Sequence, residues 1–368
     1  MRMATNRGDP PKGEDIMLIW TRICKLFFVI MTATLFLISC DNPPRLYVSN
    51  IGDGSISIVD RTDRSIIDTV AVGIQPAHIG VIAALYRVYV CDVGSNYIHV
   101  IDTFTDTLLT SIPIARPVAS LDVDPALGRI YALDYSGSNL QVIDAASNTQ
   151  IADLPIGSNV QDIRFDSASG HIYVTDFTEG LIVVDAANYT ELKTIPIDGK
   201  AHGLAVNPDD GYVYVTQVEN NTISIVDPNV DPNVDPPLDP VVAEIPVGTQ
   251  PEWIAIDAGG TKAYVSNAGD GTVSVVDTDG LSVTKTIAVG MGPFYIVIDH
   301  ESNFAYVTNT EDDTVSMIST LTDTEVDTID TGIEPVGLAL ISLTSPGNFP
   351  SKFKGLYSST RLNSLSAH

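Results

Sequence analysis

The sequence predicts an all-β protein, a seven-bladed β-propeller in which the C-terminal strand closes the first blade. Three observations carry this. A tetrapeptide of the form Tyr-Val-Ser/Thr-Asn recurs with drift at Tyr47, Tyr89, Tyr131, Tyr173, Tyr214, Tyr264 and Tyr306, with successive spacings of 42, 42, 42, 41, 50 and 42 residues. Each period holds four short β-branched and aromatic runs. No run is long enough, or periodic at 3.6 residues, to be a helix.

The copy from Ala263 shows the unit. Ala263–Asn267 reads as one strand, Ala268–Gly271 as a turn and Thr272–Asp277 as the next strand. Two more runs follow, at 281–290 and 294–299. Asp270 and Gly271 suit a tight hairpin because both tolerate positive φ. Runs such as Ile56-Ser57-Ile58-Val59 are nearly continuous in apolar side chains, so both faces of the sheet must be covered, as neighbouring blades would cover them. The 41-residue step comes from a shortened turn at 177–180. The 50-residue step comes from a proline-rich insertion at 228–237, between the third and fourth strands of one blade.

Closure follows from the strand count. The first copy lacks an innermost strand, and the last copy is followed by a surplus innermost-type run, Pro335–Ile341. Pairing the two removes an open sheet edge. The propeller is expected over about 46–343.

The copies Tyr47-Val48-Ser49-Asn50, Tyr264-Val265-Ser266-Asn267 and Tyr306-Val307-Thr308-Asn309, with the Val-Ser-Val-Val-Asp and Ile-Ser-Ile-Val-Asp runs after them, resemble the YVTN-repeat β-propeller family. That family includes archaeal surface-layer proteins and bacterial periplasmic YncE-like proteins. The resemblance covers about 300 residues and implies fold more than function, because its members serve adhesion, scaffolding and varied binding roles.

Upstream of the repeats, residues 1–16 are polar and read as an upstream extension, with Met17 a candidate start. Residues 17–39 read as a lipoprotein signal peptide: Arg22 and Lys25 precede an apolar core at 26–38. Leu37-Ile38-Ser39-Cys40 resembles a bacterial lipobox, which implies lipidation of Cys40 and a lipidated linker at 40–45. The alternative is a transmembrane anchor, for which the stretch is short. The expectation is therefore an exported lipoprotein, periplasmic or at the cell surface, held at a membrane through Cys40. Residues 344–368 read as a flexible Ser-rich tail.

The chain carries a formal net charge of −27, with 19 Lys and Arg against 46 Asp and Glu. Residues 40–343 hold 11 of the bases and 43 of the acids. That surface disfavours nucleic acid, which requires phosphates to be neutralised. It suits cations and basic partners. Cys91 is expected to be a small buried thiol.

Aligning the innermost strands places His78, Ser120, Asp162, Gly203, Trp253, Tyr295 and Gly337 at one column near the channel mouth. Ala77, Ala119, Gln161, His202, Glu252, Phe294 and Val336 stand in the column before it. Positions that differ between blades are free of the blade's own packing, so His78, Gln161, Asp162, His202, Glu252, Trp253, Phe294 and Tyr295 are the candidate binding residues. The competing reading is a plug of the channel. Asp92, Asp134 and Asp176, at the last motif position, would hydrogen-bond within their own hairpins or form an acidic arc for a cation. Asp231, Asp235 and Asp239 offer oxygen ligands to Ca²⁺, or simply keep the insertion soluble. No nucleophile elbow, paired-His metal motif or phosphate loop is present.

Three functions remain open. The first is a non-catalytic envelope module binding a protein or glycan, as a monomer or within a hetero-complex. The second is a lactonase-like or quinoprotein-like propeller enzyme. The third is a structural surface-layer component.

Overall fold

The computed structural model describes residues 43–230 and 239–341. The signal segment, Cys40, Asp231, Asp235 and the tail lie outside the described residues.

Seven four-stranded antiparallel sheets form a closed ring. The inner strands of blades 1 to 7 are Pro335–Ile341, Pro76–Ile82, Val118–Asp124, Val160–Asp166, Ala201–Val206, Pro251–Ile256 and Pro293–Asp299. Pro335–Ile341 pairs antiparallel with Arg45–Asn50, so the last strand completes the first blade as the strand count requires. The insertion falls between the third strand of blade 5, Thr222–Val226, and its outer strand, Val241–Pro246. At the shortened turn of blade 4, Gly180 takes φ +98, and a Cβ there would lie 2.4 Å from the Ile195 carbonyl oxygen. Only glycine fits that position.

The second and third strands are buried almost throughout, as continuous apolar runs between two neighbouring blades should be. The outer strands differ. Thr149–Pro155 alternates between exposed and half-buried residues, because blades splay apart toward the rim and leave one face wet.

The motif residues hold the blades to one another. All seven motif tyrosines are buried. Tyr47 donates to Asp106 of blade 2 at 3.1 Å, and Tyr264 donates to Asp323 of blade 7 at 2.6 Å. Beside the first of these, Arg45 and Asp106 form a buried ion pair at 2.8 Å. The Ser or Thr of the motif works at the channel. Ser266 Oγ accepts the Trp253 N–H at 3.0 Å and donates to the Phe294 carbonyl in the next blade at 2.5 Å. Thr216 makes the same pair of bonds, from the Gly203 N–H at 2.8 Å and to the Glu252 carbonyl at 3.0 Å. One hydroxyl thus serves two backbone groups that the sheet ladder leaves out.

Those groups are left out because every inner strand is bulged. Pairing skips between Pro76 and Ile79, between Val160 and Ile163, between Ala201 and Leu204, between Pro251 and Ile254, and between Pro293 and Ile296. Shorter skips occur in blades 1 and 3. A bulge turns side chains away from the regular pleat. Here it turns them toward the axis.

Candidate functional site

The residues freed by the bulges are the two columns singled out from the sequence. The structure brings them together at the end of the channel formed by the loops between outer and inner strands, in two tiers.

The deeper tier is a sealed plug. His78, Ser120, Asp162, Trp253 and Tyr295 are all buried. Gly337 and Gly203 leave gaps in the ring, so His78 of blade 2 reaches across blade 1 to Tyr295 of blade 7 through its Nε2. Arg164, further along the inner strand of blade 4, joins them. Its guanidinium is 3.0 Å from Asp162 Oδ1, 3.4 Å from Tyr295 Oη, and 5.6 Å from the centre of the Trp253 ring. Ser120 Oγ stands 2.9 Å from His78 Nδ1 and 3.0 Å from Asp162 Oδ1. Trp253 lies 4.5 Å from Tyr295, centroid to centroid, and its buried Nε1–H has no acceptor among the described residues.

Burial sets the protonation states. It pushes the His78 pKa well down, and the nearby Arg164 charge adds to that. Burial also pushes the Tyr295 phenol up, against the partial opposition of Arg164. Both groups are neutral at physiological pH. The Leu121 backbone N–H points at His78 Nδ1, at 3.1 Å. A backbone amide can only donate, so Nδ1 accepts and the ring proton is on Nε2, donating to Tyr295 Oη.

The shallower tier is half-exposed and holds His202, Glu252, Phe294 and Gln161. His202 Nδ1 is 3.3 Å from Glu252 Oε2. Its ring lies 5.7 Å from Trp253, 6.1 Å from Phe294 and 5.6 Å from Phe177. Lys200 stands 5.9 Å over Phe177. Gln161 is turned aside and donates to the carbonyl and side chain of Asn159 at 2.9 Å. His78 and His202 both touch Trp253 although their blades lie three apart.

The motif acids do not form an arc. Asp92 accepts from Ile74 N–H at 3.1 Å, Gln75 N–H at 2.9 Å and Ser95 Oγ at 2.6 Å. Asp134 accepts from Ser136, Ser138 and Asn139. Asp176 accepts from four backbone N–H groups. Each carboxylate is taken up by its own blade's loops. Among the described residues, no three His, Cys, Asp or Glu side chains are placed to hold a metal ion. Cys91 is buried, and burial raises its thiol pKa well above the usual value.

Two residues escaped the sequence reading, Arg164 and Asp122. They stand two places beyond the deeper column, where the other blades carry Gly80, Ala205, Ala255, Val297 and Ala339. A charged pair in a column of small apolar residues was a visible signal. Asp122 accepts the Phe165 N–H at 2.7 Å, and burial raises its carboxyl pKa.

No protein-family model matches the chain, and no curated protein matches it in sequence. Solved structures do match in fold. A functionally unknown protein from Desulfotomaculum acetoxidans is similar over 82% of this chain and 100% of its own, with a TM-score of 0.71 at 14% identity. A protein from Lactobacillus plantarum covers 81% of this chain and 99% of its own (TM-score 0.66, 18% identity). Kuenenia stuttgartiensis hydrazine synthase covers 80% and 99% (TM-score 0.66, 17% identity). Likeness at these identities establishes a seven-bladed propeller fold and leaves the function to be argued from the chain's own residues.

Proposed function

We propose that the protein is a non-catalytic cell-envelope module, tethered through Cys40, that binds a protein, a glycan or another envelope component at the His202 end of its channel. One observation carries this reading. His202, Glu252 and Phe294 offer a half-exposed aromatic and polar surface over a floor that the buried plug makes rigid. Flat rings backed by a fixed floor suit both sugar faces and protein side chains, since little freedom is lost on binding. The acidic ring favours a basic or neutral partner over nucleic acid.

The test is affinity capture from membrane extracts with the wild-type chain and with a His202→Ala, Glu252→Ala double variant. The wild type should retain a defined component, and the variant should lose it with an unchanged melting temperature. Equal retention by both would remove this surface from consideration. Incorporation of radiolabelled palmitate, abolished by Cys40→Ala, checks the tether.

A propeller enzyme is the second reading, supported by the convergence of His78, Ser120, Asp162, Arg164 and Tyr295. Against it, His78 and Ser120 are buried, and Ser120 has one proton to share between His78 and Asp162.

A further inference from the structure

The channel has a second end, and there the walls do not close. Beyond the plug lies a cavity of about 390 Å³, reached past Ser167 and Pro208 in the turns after the inner strands of blades 4 and 5. It opens at the rim opposite His202. Most of its lining residues are apolar, among them Phe165, Val206, Ile256 and Ile298, but polar atoms make up about as much of the exposed wall as carbon does. Ala205 and Ala255 make room by being small. Arg164 and Tyr295 are the polar groups that reach it from the plug, while Asp166 lies on the wall. The volume is in the range of sites for small organic molecules.

The hydrogen-bond inventory of the plug shows what the cavity lacks. Tyr295 Oη receives the His78 Nε2–H and an Arg164 N–H at 3.4 Å. Both incoming groups are donors, so the phenol's own proton has no acceptor among the described residues. Arg164 Nη1 is taken up by Asp162 Oδ1 at 3.0 Å and the Ile163 carbonyl at 2.7 Å, whereas Nη2 has only the long bond to Tyr295. Two donors, Tyr295 Oη–H and Arg164 Nη2, therefore stand at the cavity floor free to meet an incoming acceptor.

Charge narrows the choice. The single guanidinium faces the carboxylates of Asp162 and Asp122, and Asp166 adds another on the wall. An incoming anion would meet more negative than positive charge there.

We infer that this cavity binds a small, largely apolar, uncharged molecule with one hydrogen-bond acceptor, seated with that acceptor against Tyr295 Oη and Arg164 Nη2 and its body among the aliphatic walls of blades 4 to 7. The site is separate from the His202 surface, and the inference does not depend on what that surface binds.

Three probes with one apolar cage and different polar ends test it: adamantanone, adamantanecarboxylate and adamantylammonium. Binding to the full chain carrying Trp20→Phe is measured by equilibrium dialysis and, in parallel, by the fluorescence of Trp253, then the sole tryptophan and 4.5 Å from Tyr295. Adamantanone should bind and perturb Trp253, and the carboxylate should bind roughly tenfold more weakly or not at all. Ala255→Phe and Val297→Phe, which fill the cavity from two different blades, should each weaken adamantanone by roughly tenfold or more. Tyr295→Phe should weaken adamantanone while sparing the part of the affinity due to the cage. Failure of adamantanone to bind the wild-type chain overturns the inference. So does a carboxylate or an ammonium that binds as tightly as the ketone, or ketone binding untouched by both filling variants that fold.

Discussion

Arg61, in the turn after the third strand of blade 1, forms a buried ion pair with Asp299 of blade 7, 238 positions away in sequence. The pair bolts the seam where the ring closes. Arg61→Ala should cost about 3–5 kcal/mol, because it leaves a buried carboxylate without its partner. Replacing both, as Arg61→Met with Asp299→Leu, should recover most of that loss. Urea unfolding of the three chains separates these outcomes, and a single variant as stable as the wild type would show that the pair contributes nothing.

Ser266→Ala tests the hydroxyl clamp between blades 6 and 7. The change strands the Trp253 N–H and the Phe294 carbonyl together. A loss of about 1–3 kcal/mol is expected in denaturant unfolding. Trp253 emission should change in the folded state, since its bulge loses an anchor.

Asp92 sets part of the acid limit of the fold. Burial pushes its carboxyl pKa up, but bonds from Ser95, the Gln75 and Ile74 amides and His99 outweigh burial and lower it to about 2. An unfolded aspartate titrates near 3.9. The folded state is therefore favoured above about pH 4 by the ionised form, and this advantage disappears as the pH falls toward 2. Asp92→Asn should be tolerated at pH 7, since Asn fills the same place in blades 1, 6 and 7, and it should flatten the loss of stability between pH 4 and 2. Urea midpoints at pH 7, 4 and 2.5 measure the difference, and parallel curves would contradict the role.

His78 acts in the same direction, destabilising the fold as the pH falls, but at milder pH. Folded, it stays neutral because burial holds its pKa well down. Unfolded, it takes up a proton below about pH 6.5, so the unfolded state gains on the folded one as pH falls through that value. The slope from this residue is about 1.4 kcal/mol per pH unit. His78→Gln should remove that increment between pH 6.5 and 5, as measured by calorimetry at several pH values. An NMR titration showing His78 protonated near pH 6.5 in the folded chain would refute the assignment.

The ring was legible because its determinants repeat. Tyr47 and its six counterparts sit where a large buried ring is needed, and Ser49, Ser266 and Thr308 sit where a hydroxyl must hold a bulge. One physical task performed seven times leaves a periodic trace. The site was legible only in part, because its residues each occur once. His78, Trp253 and Tyr295 stood out as departures within a column. A plug was one of the two readings of that column, and the choice between them was not legible, because it depends on Gly337 and Gly203 leaving room for neighbours to cross the axis. Arg164 was overlooked for a related reason. It lies two residues past the column that drew attention, on the side of the plug facing the other opening.

The pairing of Arg45 with Ile341 has a mechanical consequence. The polypeptide enters and leaves the disc side by side, at the face where Ser167 and Pro208 border the cavity. Any leash on the segment before Pro43 pulls on that face, and a pull there loads the closing strand lengthwise along its ladder, in shear. Rungs loaded in shear share the force and yield together, so a tethered disc should resist tension far better than one whose last strand could be peeled from one end.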